Sequence, residues 1–209
     1  MNPLSTAKYI TAALLLSAAA SLAAAEPAAE PDVLDMSIEE NLASPAVPQK
    51  ARAHIRADID RLRRHMLAGG YAASSTREGE VLEIVIPAQS LFAANDTVLK
   101  PSADKLLEPL GELARKPRRY KLVIAVHSDD TGDADYSDRL TAARANAIDD
   151  RLWRMADGLD TNTVPYGLGR DEPLQSNASR TGREANRRVE IYVVPDRGML
   201  EAAGVKLKK

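Results

Sequence analysis

From His127 to Arg144 the chain reads His-Ser-Asp-Asp-Thr-Gly-Asp-Ala-Asp-Tyr-Ser-Asp-Arg-Leu-Thr-Ala-Ala-Arg. Asp129 follows the apolar run Leu122-Val123-Ile124-Ala125-Val126, and Arg144 lies in the helical segment beyond it. On a wheel of about 100° per residue, Leu140, Ala143, Ala147, Ile148 and Met155 share one arc, and Arg144 falls inside it. A guanidinium facing the domain needs a partner, because an unpaired buried charge is strongly destabilising. Asp129 is the best local candidate, so the two are expected to converge at the C-terminal end of the strand, where open α/β sheets bind ligands. One reading of the pair is a structural salt bridge. The other is a gripping site for a zwitterion. Asp129 would meet an ammonium, and Arg144 a carboxylate in a two-pronged contact. The polar strand exit, Ser128 to Gly132, and the backbone N–H groups of a strand-to-helix loop favour the second reading. The ligand it predicts is an amino-acid-like head group.

Other chemistries fit less well. Asp129, Asp130, Asp133, Asp135 and Asp138 lack the spacing and closing Glu of a calcium loop, and Arg144 is a poor neighbour for a cation. No metal and no cofactor are expected. His127 sits at a strand end with no second His nearby, which suits a structural role. Neither a nucleophile motif nor a phosphate loop is present. Adjacent carboxylates on a strand point to opposite faces, so Asp129 and Asp130 do not flank one bond as a hydrolase requires. The expectation is a binding protein, not an enzyme.

The elements that must position these residues follow from periodicity. Residues 50–70 hold an amphipathic helix, with Ile55, Ile59, Leu62 and Met66 at helical spacing and Gly69-Gly70 as its stop. Docking on its own domain is the first reading, a dimer seam or partner helix the second. Its Arg52, Arg56, Arg61, Arg63 and Arg64 form a basic face. Because it precedes the motif-bearing region, it is expected to be peripheral to binding. Tyr71 to Pro87 reads as a hairpin turning at Arg77-Glu78-Gly79. Pro101 opens a helix whose buried face is Leu106, Leu107, Leu110, Leu113 and Ala114, with a kink expected at Pro109. Tyr120 to Val126 is a strand covered by helices. A long helix runs from about Tyr136 to Ala156, then a strand at Thr163 to Tyr166, a short helix at Ser179 to Ala185 and a last strand at Val189 to Val194. The order β-α-β-α-β-(α)-β predicts a two-layer α/β sandwich with the helices on one face of a mixed sheet.

The ends complete the organisation. Residues 1–25 read as a signal peptide: Lys8, an apolar run from Tyr9 to Leu22, then Ala23-Ala24-Ala25. A retained anchor is the alternative, disfavoured by a short, Ala-rich run. Residues 26–49 are a linker rich in Pro, Ala and acidic residues, with a short helix near Met36 to Leu42. The domain covers 71–195 and a C-terminal tail 196–209. No Cys occurs, which removes disulfides, thiol chemistry and lipid modification of a cysteine. A net charge of −2 argues against nucleic acid as a partner, and no segment of the mature chain is long and apolar enough to span a bilayer.

The motifs His127-Ser128-Asp129, Gly132, Tyr136-Ser137, Leu140-Thr141, Arg144-Ala145, Gly169, Pro173, Asn177, Gly182-Arg183 and Asn186-Arg187-Arg188-Val189-Glu190-Ile191 occur in an order and spacing that resembles the OmpA-like domain. That family is a peptidoglycan-binding module of bacterial envelopes, and the likeness covers roughly Leu82 to Pro195. The resemblance implies that Asp129 and Arg144 grip the diaminopimelate of the stem peptide, with Asn95, Thr131, Ser137, Leu140 and Arg187 beside them. It also implies a periplasmic protein associated with peptidoglycan and the outer membrane. The extension ahead of the domain resembles barrel-less members of the Bacteroides group. Three positions depart from the family pattern: Val126 stands for a Gly, Ser137 for an Asn and Ala94 for an aromatic residue. The rival is an envelope structural or assembly protein that binds a protein partner through residues 50–67. If the export signal is cleaved as expected, N-terminal sequencing of protein recovered from the envelope finds Glu26 first; recovery of Met1 in the membrane fraction would indicate an anchor.

Overall fold

The computed structural model describes residues 36–207. The expected signal peptide, residues 1–25, and residues 26–35 of the expected linker lie outside the described residues. Seven α-helices and five strands follow in order among the described residues. Helix α1 is Ile38–Ala43; α2, preceded by a short 3₁₀ turn, is Arg52–Ala68; strands β1 and β2 are Ala72–Thr76 and Val81–Pro87. Then come α3 (Ala88–Leu91), α4 (Ala103–Ala114), β3 (Tyr120–Val126), α5 (Ala134–Met155), β4 (Thr163–Gly167), α6 (Arg180–Asn186), β5 (Arg188–Pro195) and α7 (Arg197–Ala202). The sheet order is β1-β2-β5-β3-β4, with β3 parallel to β4 and the other pairs antiparallel. This is the expected mixed sheet with a helical layer.

Register decides which side chains meet that layer. Leu82, Ile84 and Ile86 of β2 lie opposite Val193, Ile191 and Val189 of β5, which in turn face Leu122, Ile124 and Val126 of β3. These nine belong to one buried cluster with Leu107 and Leu110 of α4 and Ile148 and Leu152 of α5. Lining up apolar residues at period two makes any one-residue slip of β5 expensive, since it would turn the whole row to the other face. Pro101 lies just ahead of α4, whose cap is Ser102, and the helix continues through Pro109.

Three elements outside the central sheet and its two long helices join the packing. Ile55, Ile59 and Met66 of α2 are in the main cluster, so the helix docks on its own domain, over β1 and β2. Gly70, at φ +85°, ends α2 and lets the Tyr71 amide reach the Met66 carbonyl at 3.1 Å. The C-terminal tail contains α7, whose Met199 and Leu200 join the same cluster with Val205. The end of the linker forms α1, closed by a reciprocal Ser37–Glu40 capping box. Ile38 and Leu42 of α1 pack on Val81, Val123 and Val194, across the sheet from the helical layer. The buried Lys121 donates to Asn41 at 3.0 Å, Asn41 donates to the Tyr166 hydroxyl at 2.6 Å, and that hydroxyl donates to the Met36 carbonyl at 2.7 Å.

The arginine face of α2 is mostly ion-paired. Arg52 and Arg56 meet Glu78 and the buried Glu80, Arg61 meets Asp58, and Arg63 and Arg64 meet Asp60. Because Ile59 is fully enclosed, Ile59→Ala should cost about 2–5 kcal/mol. A chain shortened to begin at Ala68 should lose its cooperative thermal transition, and an unchanged melt of either variant would contradict this packing.

Candidate functional site

The site lies where β3 gives way to the loop preceding α5. Asp133 caps α5, its carboxylate accepting the Tyr136 amide at 3.0 Å. The helix then approaches β4 so closely that a Cβ on Gly167 would lie 2.2 Å from the Ala142 nitrogen. Only glycine permits that approach. Thr141 makes the second attachment: its hydroxyl donates to the Ser137 carbonyl at 2.9 Å and accepts the Gly169 amide at 3.0 Å. These contacts set the rotation of α5. Its buried stripe is Ser137, Thr141, Arg144, Ala145, Ile148 and Leu152. Ala143, expected on the apolar arc, is exposed. Satisfied hydroxyls can be buried at little cost, and this shifts the stripe relative to a wheel that counts apolar residues alone.

Arg144 is buried, as its position on the wheel required, but its partner is not Asp129. Its Nε donates to the Asp96 carbonyl at 2.8 Å and its Nη2 to the Ala93 carbonyl at 3.0 Å. The guanidinium also stacks 4.9 Å from the centre of the Phe92 ring. Burial lowers its pKa, against the opposing influence of Tyr136 and Asp96. Asp129 pairs instead with Arg187, and one of its oxygens also accepts the Thr131 hydroxyl and, at 3.0 Å, the Thr131 amide. Burial alone would raise the Asp129 pKa; the Thr131 and Arg187 contacts outweigh it and hold the carboxyl below its ordinary range. The local spacing argument missed Arg187 because it arrives from the far end of α6, through a contact that no sequence interval reveals.

Asp129 and Arg144 nonetheless face the same space. A cavity of about 300 Å³ is lined by both, together with Asn95, Thr131, Ser137, Leu140 and Arg187. All seven residues singled out from the sequence therefore meet at one place. Ala88, Gln89, Phe92, Ala93, Ala94, Ser128 and Tyr136 complete the lining. Of these, Phe92 and Gln89 carried no sequence signal, because they come from α3 and its exit. Asn95 holds a left-handed conformation at φ +56°, which asparagine tolerates better than most residues. The Ser137 hydroxyl is turned back to the Asp133 carbonyl at 3.2 Å. The cavity thus presents one carboxylate and two guanidinium groups.

Beneath the site, on the sheet face opposite the helical layer, lies a buried polar cluster. Glu190 accepts from Arg188 at 2.6 Å and from the Tyr192 hydroxyl at 2.6 Å, and lies 3.2 Å from His127 Nε2. His127 is thus structural on one side, while its Nδ1 has no hydrogen-bond partner. No group of His, Cys, Asp and Glu among the described residues is arranged to hold a metal ion.

Residues 91–187 match the OmpA family. Outer membrane protein A of Bordetella avium is 29% identical over 116 residues, 55% of this chain and 59% of the relative. The chain spans less than two thirds of the length of the first curated relatives it matches. Among solved structures, a MotB-like protein from Desulfovibrio vulgaris superposes with a TM-score of 0.61 at 24% identity, covering 70% of this chain and 96% of the other. The cell wall anchor of the T6SS from Pseudomonas aeruginosa gives a TM-score of 0.56 at 26% identity, covering 66% and 97%.

The cluster beneath the site carries a pH signature. Burial acts to raise the Glu190 pKa, but hydrogen bonds from His127, Tyr192 and Arg188 bring it down from 4.5 to about 2. A depressed carboxyl stabilises the fold fully above its unfolded value, and that contribution is lost as pH falls through the folded value. The melting temperature should therefore drop as pH falls from about 4.5 toward 2. Glu190→Gln should be less stable at neutral pH and show a flatter profile across that window.

Proposed function

We propose that this chain, which carries an OmpA-family domain over residues 91–187, is a non-enzymatic peptidoglycan-binding protein of the bacterial envelope. The observation that carries the reading is the convergence of Asp129, Arg144 and Arg187 on one small cavity. A free amino-acid head group, such as the side-chain end of diaminopimelate, has complementary charges. Its ammonium meets Asp129, whose depressed pKa keeps it ionised. Its carboxylate meets the guanidinium groups. Asn95, Thr131, Ser137 and Leu140 shape the walls. Arg144 uses Nε and Nη2 to hold backbone carbonyls, so Nη1 is the nitrogen left to the ligand. Arg187 is 40% exposed at its side chain and offers a second cation at the mouth. Likeness to a structure named as a cell wall anchor supports the polymer as partner. Location in the periplasm, at the peptidoglycan and outer membrane, follows from the same reading and from the expected export signal.

The rival, a protein partner held by residues 50–67, is less well supported. The apolar side of that helix is buried in its own core and most of its arginines are ion-paired.

Co-sedimentation with purified sacculi tests the reading, with calorimetry on a diaminopimelate-containing peptide to quantify it. Charged hydrogen bonds are worth roughly 1.5–3 kcal/mol, so Asp129→Ala should weaken binding about ten- to a hundredfold. Arg144→Ala should do the same and also lower the melting temperature, since it releases the Ala93 and Asp96 carbonyls. The double variant should lose less than the sum, because both residues hold one ligand. Earlier melting with normal binding by the folded fraction would make the residues structural and overturn the assignment.

A further inference from the structure

The segment that walls the pocket also walls a second cavity. Beyond Asn95, residues Thr97 to Pro101 and Ala147, Arg151 and Arg154 of α5 enclose about 500 Å³. Along α5, the pocket residues Ser137, Leu140 and Arg144 continue into Ala147, Arg151 and Arg154 at three- and four-residue steps, so the two cavities lie on one helix stripe. Arg144 and Arg154 are about 15 Å apart along the axis. The opposite wall is held in place. Phe92 and Leu99 form a β-bridge, the Lys100 amide donates to the Leu91 carbonyl at 2.8 Å, and Arg144 ties down the carbonyls between them. Val98 is 69% exposed on this wall, with its amide donating to the Asp96 carboxylate at 3.0 Å.

The charges of the groove select a sign. Lys100, Arg151 and Arg154 stand against Asp104 and Asp150, three cations to two anions. Arg151 is taken up by Asp104 through two bonds, at 2.7 and 2.6 Å, and Lys100 donates to the Gln89 carbonyl at 2.6 Å. The Arg154 guanidinium makes no hydrogen bond or ion pair among the described residues. We infer that this groove is a second subsite, which takes the acidic peptide segment continuing from the head group held in the pocket. The inference rests on the reading above: Arg154 meets a carboxylate of that segment, and Val98 supplies an apolar contact.

Calorimetry on the full chain, comparing free meso-diaminopimelate with the tetrapeptide L-Ala–γ-D-Glu–diaminopimelate–D-Ala, tests it. The wild type should bind the tetrapeptide about tenfold more tightly than the free head group, as one added charged contact implies. Arg154→Ala and Val98→Asp, both at exposed positions, should remove most of that gain while leaving the free head group's affinity and the melting temperature unchanged. Arg154→Lys should restore part of it. A tetrapeptide bound no more tightly than the head group, or a gain that survives both substitutions, overturns the subsite and leaves the pocket reading intact. A wild type that binds neither molecule overturns both.

Discussion

A guanidinium buried in the helical layer of a small domain must be satisfied, and Arg144 is satisfied by main chain. Its two bonds to the Ala93 and Asp96 carbonyls and its stacking on Phe92 turn an irregular strand exit into a fixed wall. Loops of this kind are ordinarily the mobile part of a fold. Here a charge that would otherwise be stranded holds one in place, and the cavity exists between that wall and the helix bearing the charge. Destabilisation by Arg144→Ala and loss of the cavity's shape are therefore one physical event. The position of α5 matters for the same reason: Gly167 and Thr141 set its depth and rotation, and they decide that Arg144, not its neighbour Ala143, faces inward.

The second wall of the cavity rests on a different chain of contacts. Asp129 is fixed by Thr131 in its own loop and by Arg187, which leads from α6 into β5. The Arg187 carbonyl also accepts the Ala88 amide at 3.0 Å, linking the junction of α6 and β5 to α3. The buried Glu190 cluster holds His127 and Arg188, the residues flanking these walls, from the other side of the sheet. Across that sheet face α1 adds its own contacts through Ile38, Leu42 and Asn41. Binding residues on loops are thus held by buried polar groups that anchor both ends of the loops. Such networks are favourable only when nearly all their members are paired.

Much of the fold was legible in the sequence. The strands at Tyr120–Val126 and Val189–Val194, the hairpin, the long helix and the mixed sandwich followed from period-two and period-3.6 patterns, because burial on one face is written directly into residue type. The short helices were harder. The helix within residues 26–49 and that within 196–209 are only six residues each, and they form because Ile38, Leu42, Met199 and Leu200 find apolar sites on a surface assembled elsewhere in the chain.

The site divides along the same line. By itself the sequence determined that a charge would be buried in the long helix, that the strand exit would be polar, and, through motif order, which residues belong together. Only the tertiary structure decided how they pair. Asp129 met Arg187 and Arg144 met two backbone carbonyls, because pairing depends on three-dimensional neighbours from α3, α5 and β5 and on backbone groups that carry no residue-specific signal. Residue type states what must be satisfied, and packing chooses the partner that satisfies it.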